Sequence, residues 1–146
     1  MESKVLVIDA GLGNIGSVVS ALNRLSNGVE RLRNPPNKIE TSLYTHVLLP
    51  GVGSFNKGMY LLRTTGWYGW ILDHWQKLER PLLGICLGMQ LLASYGSEGS
   101  KGEKIEGLNL IPGSVDPFNT SKNLTLPHVG WNSVTWKKKS DKLISG

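Results

Sequence analysis

Apolar and polar positions fall into blocks along this chain, and the blocks predict an order of elements. Val5-Leu6-Val7-Ile8 is an unbroken apolar run between Lys4 and Asp9, the pattern of a parallel strand buried on both faces. Gly11-Leu12-Gly13-Asn14-Ile15-Gly16 follows. From Ser17 to Leu25 the apolar residues Val18, Ala21, Leu22 and Leu25 recur at helical spacing, and Ser26-Asn27-Gly28 stops the helix. Val29 to Leu32 predicts a second strand and Asn34-Pro35-Pro36-Asn37 a loop. His46 to Leu49 predicts a third strand, broken by Pro50-Gly51-Val52-Gly53. Ser54 is a candidate cap for a helix through Met59, Leu61 and Leu62. Trp67 to Leu78 predicts a further helix, whose tryptophans suit core packing or an interface. Leu82 to Ile85 predicts the fourth strand, and Leu87 to Tyr95 the helix after it.

Beyond that point the pattern changes. Gly96 to Gly113 is glycine-rich and polar and predicts a loop. Val115 to Phe118, Thr125-Leu126 and Val134 to Trp136 predict short strands with no helices between them. The alternation over residues 1–95 implies an α/β fold, doubly wound around a mostly parallel sheet. Residues 96–146 add a small antiparallel part to the same single domain, 1–146.

Composition narrows the class. The chain has 146 residues, 40% hydrophobic and 18% charged, which fits a soluble globular protein. No apolar run approaches the roughly 18 residues of a membrane helix, and Met1-Glu2-Ser3-Lys4 enters the first strand without a signal peptide. A single cysteine excludes an internal disulfide and suits a reducing, cytoplasmic setting. The net charge of +5 is scattered, and Lys137-Lys138-Lys139 reads as a solvated turn rather than a nucleic-acid contact. No metal and no cofactor is expected.

The one cysteine sits in Gly84-Ile85-Cys86-Leu87-Gly88, between a predicted strand and a predicted helix. This is the G-x-C-x-G form of a nucleophile elbow, in which a sharp turn lifts a reactive side chain above the sheet. A thiol there meets the N–H groups that open a helix, which favour thiolate. The plain alternative is a buried, inert cysteine. A rival function comes from Gly11 to Gly16, which fits G-x-G-x-x-G, with Glu30 placed for a ribose contact. That would make a dinucleotide-binding domain, but it leaves the elbow unexplained.

Further stretches bring in a family. Pro50-Gly51-Val52-Gly53-Ser54-Phe55, Gly84 to Gln90 and Pro127-His128-Val129-Gly130-Trp131-Asn132 together resemble the class I (triad) glutamine amidotransferases. Among these, Asp9 to Ser17 and Gly107 to Gly113 are similar to the glutaminase subunits of imidazole glycerol phosphate synthases of histidine biosynthesis. The resemblance implies a flavodoxin-like fold and a Cys86 thiolate that attacks glutamine, forms a glutamyl thioester and releases ammonia. It implies oxyanion donors at Leu87 and near Val52 and Gly53, after the Val52 peptide reorients. It implies substrate contacts at Gly51, Gln90 and Glu98, although Glu98 on its own reads as a solvated loop acid. The implied partner is a (β/α)8-barrel cyclase that receives the ammonia, met by Asn14, Pro127, Val129 and Trp131. Trp131 taken alone suits the core as well as an interface. The same kind of subunit serving sugar amidation for surface polysaccharide, or a catalytically dead docking fragment, are alternatives.

The resemblance also implies a histidine and a glutamate spaced H-x-E. The histidines here are His46, His74 and His128, followed two positions on by Leu48, Gln76 and Gly130. The expectation is therefore an N-terminal portion of such a subunit, with little glutaminase activity alone and an exposed sheet edge.

Overall fold

The computed structural model describes residues 4–25, 28–118, 127, 129–133 and 135. Strands β1 (Val5–Ile8), β2 (Val29–Leu32), β3 (His46–Gly51) and β4 (Leu82–Cys86) form a sheet in the order β2-β1-β3-β4. Every pairing in it is parallel. The chain leaves β1 for β2 on one side and then crosses to β3 on the other. The ends of β1 and β3 therefore flank a topological switch point, where an open α/β sheet leaves a crevice.

Alternate residues of each strand face opposite sides. On one side Leu6, Ile8, Val47 and Leu49 pack against Phe55, Met59 and Leu62 of α3 (Phe55–Thr64) and the tryptophans of α4 (Trp67–Trp70). On the other, Val5, Val7 and Leu48 pack against α1 (Ile15–Leu22). Helices thus cover both faces, as the alternating pattern predicts.

Several boundaries differ from the sequence expectation. The buried stripe of α1 is Ile15, Val18, Val19 and Leu22, and Leu25 stands 85% exposed beyond the helix. β3 continues through Pro50 and Gly51, which pair with Ile85 and Cys86, so the proline sits near the strand's end, where one lost donor matters little. Ser54 occupies the N-cap position of α3 without a side-chain cap bond. A short α2 (Lys38–Thr41) was not evident in the pattern; Asn37 and Glu40 close a reciprocal capping box at its start. After α4 the chain widens into a π-helical turn, Ile71–Trp75, and then tightens into a 3-10 turn, Gln76–Leu78. Trp67, Trp70 and Trp75 are all buried in the core, Trp67 edge-on to Trp70 at 5.2 Å and Trp70 stacked on Trp75 at 5.7 Å.

The largest correction follows the elbow. The expected helix from Leu87 to Tyr95 is one turn, α5 (Leu87–Gln90), and then Ala93–Gly96 is a strand, β5. The expected loop contains β6 (Ile105–Glu106) and most of β7 (Ile111–Val115). These three strands form a mixed sheet, β6 antiparallel and β7 parallel to β5, rather than a purely antiparallel one. Glycine makes it possible: a Cβ on Gly96 would lie 2.4 Å from the Phe55 ring, so β5 crosses the start of α3 closely. β4 is one of the two edge strands of the described sheet, with Leu83 and Ile85 exposed on it. Thr125-Leu126, His128 and Lys137 to Lys139 lie outside the described residues, as does Val134 to Trp136 apart from Thr135.

Candidate active site

Cys86 is the last residue of β4 and the residue before α5, and it turns the chain at φ 54° and ψ −119°. A side chain held at positive φ is strained by about 1–3 kcal/mol and needs surroundings that enforce it. The flanking glycines show how this is enforced. A Cβ on Gly84 would lie 2.5 Å from the Met89 backbone, and one on Gly88 would lie 1.7 Å from the Leu49 carbonyl oxygen. Both contacts are with backbone that has no room to give. The G-x-C-x-G spacing is thus a packing requirement of the strand-to-helix crossing. The thiol itself is exposed.

Beside it lies a cavity of about 240 Å³ at the switch point, lined by Leu12, Asn14, Pro50, Gly51, Val52 and Cys86 among others. Gly51 is register partner to Cys86 and approaches Gly88, with room of only 3.2 Å for a Cβ. The Val52 N–H donates to the Leu12 carbonyl at 2.7 Å, so this donor is committed to the loop after β1. Val52 is 54% exposed, and its side chain fills the space over Gly13, where a Cβ would meet its Cγ2 at 2.1 Å. Gly13 and Gly53 take φ +105° and +117°, conformations open to glycine and costly to other residues.

Leu87 is buried at the start of α5 and Gln90 is half-buried at its end. Glu98 is exposed in a turn tied to the start of α3, where the Asn56 N–H donates to its carbonyl at 3.0 Å and Asn56 Nδ2 to the Gly99 carbonyl at 3.0 Å. Asn14 lines the cavity and precedes α1 without capping it. Pro127, Val129 and Trp131 are exposed, which removes Trp131 from the core.

His46 stands at the opposite end of β3, paired with Val5, while Gly51 pairs with Cys86. Among the described residues no histidine and no acid lines the cavity, and no group of three ligating side chains suits a metal. Glu30 lies within β2, opposite Leu6, and its carboxylate is taken by Lys4 at 3.0 Å and the Tyr44 hydroxyl at 2.9 Å. The hydrogen bonds from Lys4 and then Tyr44 hold it below the ordinary carboxylate value, and burial, with Glu30 beside it, pushes the Tyr44 phenol up. Glu30 is therefore not presented to a ribose, and the dinucleotide reading loses its acid.

Asp9 is a residue whose role the sequence reading missed. It is buried at the end of β1, and one carboxylate oxygen accepts from Arg31 Nε at 2.9 Å and Nη2 at 2.6 Å. Arg33 Nε lies 3.4 Å from the same oxygen, and the other oxygen accepts the Gly11 N–H at 3.2 Å. Burial raises the Asp9 pKa, but the bonds from Arg31 and Gly11 outweigh it and hold the group below its ordinary value. The available signal was an acid ending β1 and two arginines two apart at the end of the neighbouring strand.

No helix among the described residues is long and apolar enough to cross a membrane. The class-I glutamine amidotransferase family profile matches residues 6–145. Imidazole glycerol phosphate synthase subunit HisH 1 of Prochlorococcus marinus is 58% identical over 137 residues, 93% of this chain and 62% of that protein. Subunit HisH 2 of Legionella pneumophila (strain Lens) is 40% identical over 136 residues, covering 93% of this chain and 63% of its own length. Subunit HisH of Halalkalibacterium halodurans is 39% identical over 143 residues, 95% of this chain and 64% of its own. The chain thus spans less than two thirds of the length of these relatives. With a cysteine elbow at the end of a parallel strand and a family match across nearly its full length, the chain belongs to the class I glutamine amidotransferases.

Proposed function

We propose that the protein to which this chain belongs is the glutaminase subunit of an imidazole glycerol phosphate synthase, acting in histidine biosynthesis with a partner cyclase. The names of its relatives support that assignment. The single structural observation behind it is the strained, exposed Cys86 standing over Gly51 and the Val52 peptide.

The Cys86 sulfur attacks the side-chain amide carbon of glutamine and forms an S–C bond. The C–N bond then breaks, and the nitrogen leaves with a proton as ammonia. Water attacks the thioester, glutamate departs and the thiol is restored, so glutamine and water become glutamate and ammonia. In both tetrahedral states the carbonyl oxygen carries charge that N–H donors must meet. The Leu87 N–H, next after the nucleophile, is one such donor. The second is the peptide at Val52 and Gly53 once the Val52 N–H leaves Leu12, a turn that Gly53 permits. Gly51, Gln90 and Glu98 hold the substrate, the Glu98 carboxylate facing the ammonium group. Among the described residues the cavity lining supplies no base, so proton transfer to and from sulfur and nitrogen falls to groups beyond them. A lone cysteine that must stay a thiol suits a reducing compartment, which we read as the cytoplasm. The cyclase, in our reading a (β/α)8 barrel, receives the ammonia at the end of the sheet where Asn14 and Cys86 lie, with Pro127, Val129 and Trp131 as further contacts.

An electrophilic diazoketone analogue of glutamine tests this. Incubated with the whole protein and its cyclase, it should leave one covalent adduct, mapped to Cys86 by peptide mass analysis and suppressed by excess glutamine. Labelling elsewhere, or labelling indifferent to glutamine, would remove the proposal.

A further inference from the structure

The loop from Gly11 to Asn14 separates two hollows. Leu12 and Asn14 line the cavity beside Cys86. Gly11 and Gly13 line another, of about 520 Å³, together with Asp9, Arg31, Arg33 and Asn34. Because the strands are parallel, the residues ending β1 and β2 emerge at the same end of the sheet as Cys86.

This second hollow carries excess positive charge. Two guanidinium groups face one carboxylate, and Asp9 is the only acid among the described residues lining it. Asp9 is committed inward, to Arg31 and the Gly11 N–H. Arg33 is different. Its side chain is 83% exposed and reaches Asp9 only at 3.4 Å, so most of its five N–H donors point to solvent. Its backbone is held firmly, because the buried Trp67 donates through Nε1 to the Arg33 carbonyl at 3.1 Å. A fixed base carrying an open guanidinium, with glycine on the facing wall, suits a flat two-oxygen anion. The outward exposure of Arg33 favours an anion brought by a surface over a small molecule enclosed in a pocket.

We propose that Arg33, backed by Arg31 and Asp9, is a docking site for a carboxylate side chain of the protein partner, seated against Gly11 and Gly13. This rests on the reading above that a cyclase docks at this end of the sheet. It adds a consequence for the site. Asp9 holds the Gly11 N–H, and the next residue, Leu12, holds the Val52 N–H. A partner carboxylate at Arg33 therefore bears on the same loop that fixes the Val52 peptide.

The test is affinity of the whole protein for its cyclase, wild type against Arg33→Glu and Arg33→Gln, at low and high salt. Arg33→Gln gives up only the 3.4 Å contact with Asp9, whereas Arg33→Glu sets a second carboxylate beside it, so affinities are compared at a temperature where melting curves show every variant fully folded. Arg33→Glu should bind about tenfold or more weaker at low salt, with Arg33→Gln between, as expected for a reversed interface charge. The three should converge at about 1 M salt, where the screening length is about 3 Å. Wild-type binding with both variants within twofold of it would overturn this proposal and leave the function reading standing. Failure of the wild type itself to bind the cyclase would overturn both. Saturable binding of inorganic phosphate that disappears in Arg33→Gln, with cyclase affinity unchanged, would reassign the hollow to a free anion and likewise overturn docking.

Discussion

The Val52 N–H donates to the Leu12 carbonyl at 2.7 Å, tying the turn after β3 to the loop after β1. Val52 also closes over Gly13, where a Cβ would sit 2.1 Å from its Cγ2. Backbone bond and side-chain contact together hold the peptide beside Cys86 in one orientation. Gly13→Ala should therefore displace Val52 and lower stability by about 1–3 kcal/mol, from the clash and from a side chain at positive φ. Shortening Val52 to alanine in the same protein removes Cγ2 and should recover part of that loss. Thermal melts of the two single variants and the double variant give the coupling; additive effects would argue that the two residues do not share space.

The glycines of the elbow differ in kind from the glycine of the turn. At Gly88 an added Cβ meets the Leu49 carbonyl oxygen at 1.7 Å, while at Gly53 it meets nothing within 4 Å. Gly88→Ala should prevent cooperative folding. Gly53→Ala should fold with a loss of about 1–2 kcal/mol, from positive φ alone. Comparable melts for the two would contradict the packing account.

Cys86 itself is held at φ 54°. Glycine carries no such strain, and although it adds unfolded-state entropy, Cys86→Gly should stabilise the protein by about 1 kcal/mol while abolishing its reactivity. Equilibrium denaturation checks this, and a destabilised variant would mean that the turn is not strained.

Asp9 gives a pH signature. Its carboxyl is held below the ordinary value, so its contribution to stability is complete above the unfolded value of about 4 and is lost as pH falls through the lower folded value. Asp9→Asn should lower stability at pH 7 by about 1–3 kcal/mol, and the gap between variant and wild type should close progressively below about pH 4. A gap constant from pH 7 to pH 2 would remove Asp9 as the cause.

The parallel sheet was legible because β1 and β3 are apolar on both faces, a pattern that survives without neighbours. The elbow was legible because Gly84 and Gly88 are demanded by local backbone crossings. The mixed sheet was not. Leu91 and Leu92 continue the apolar run of α5, and β5 is a strand only through its long-range pairing with β6 and β7, beside the close crossing of Gly96 over Phe55. The stripe of α1 shifted because Ile15, assigned to the glycine loop by sequence, is the first buried residue of the helix. Asp9 read as the end of a strand; its main guanidinium partner, Arg31, lies 22 residues away and is brought to it only by strand pairing.

The central claim is that Cys86 is the nucleophile of a glutaminase. The most direct measurement is ammonia release from glutamine by the whole protein bound to its cyclase, wild type against Cys86→Ala. The wild type should show saturable release, and the variant should fall by about 10³-fold or more while still binding the cyclase. A variant within a few-fold of wild type would contradict the claim.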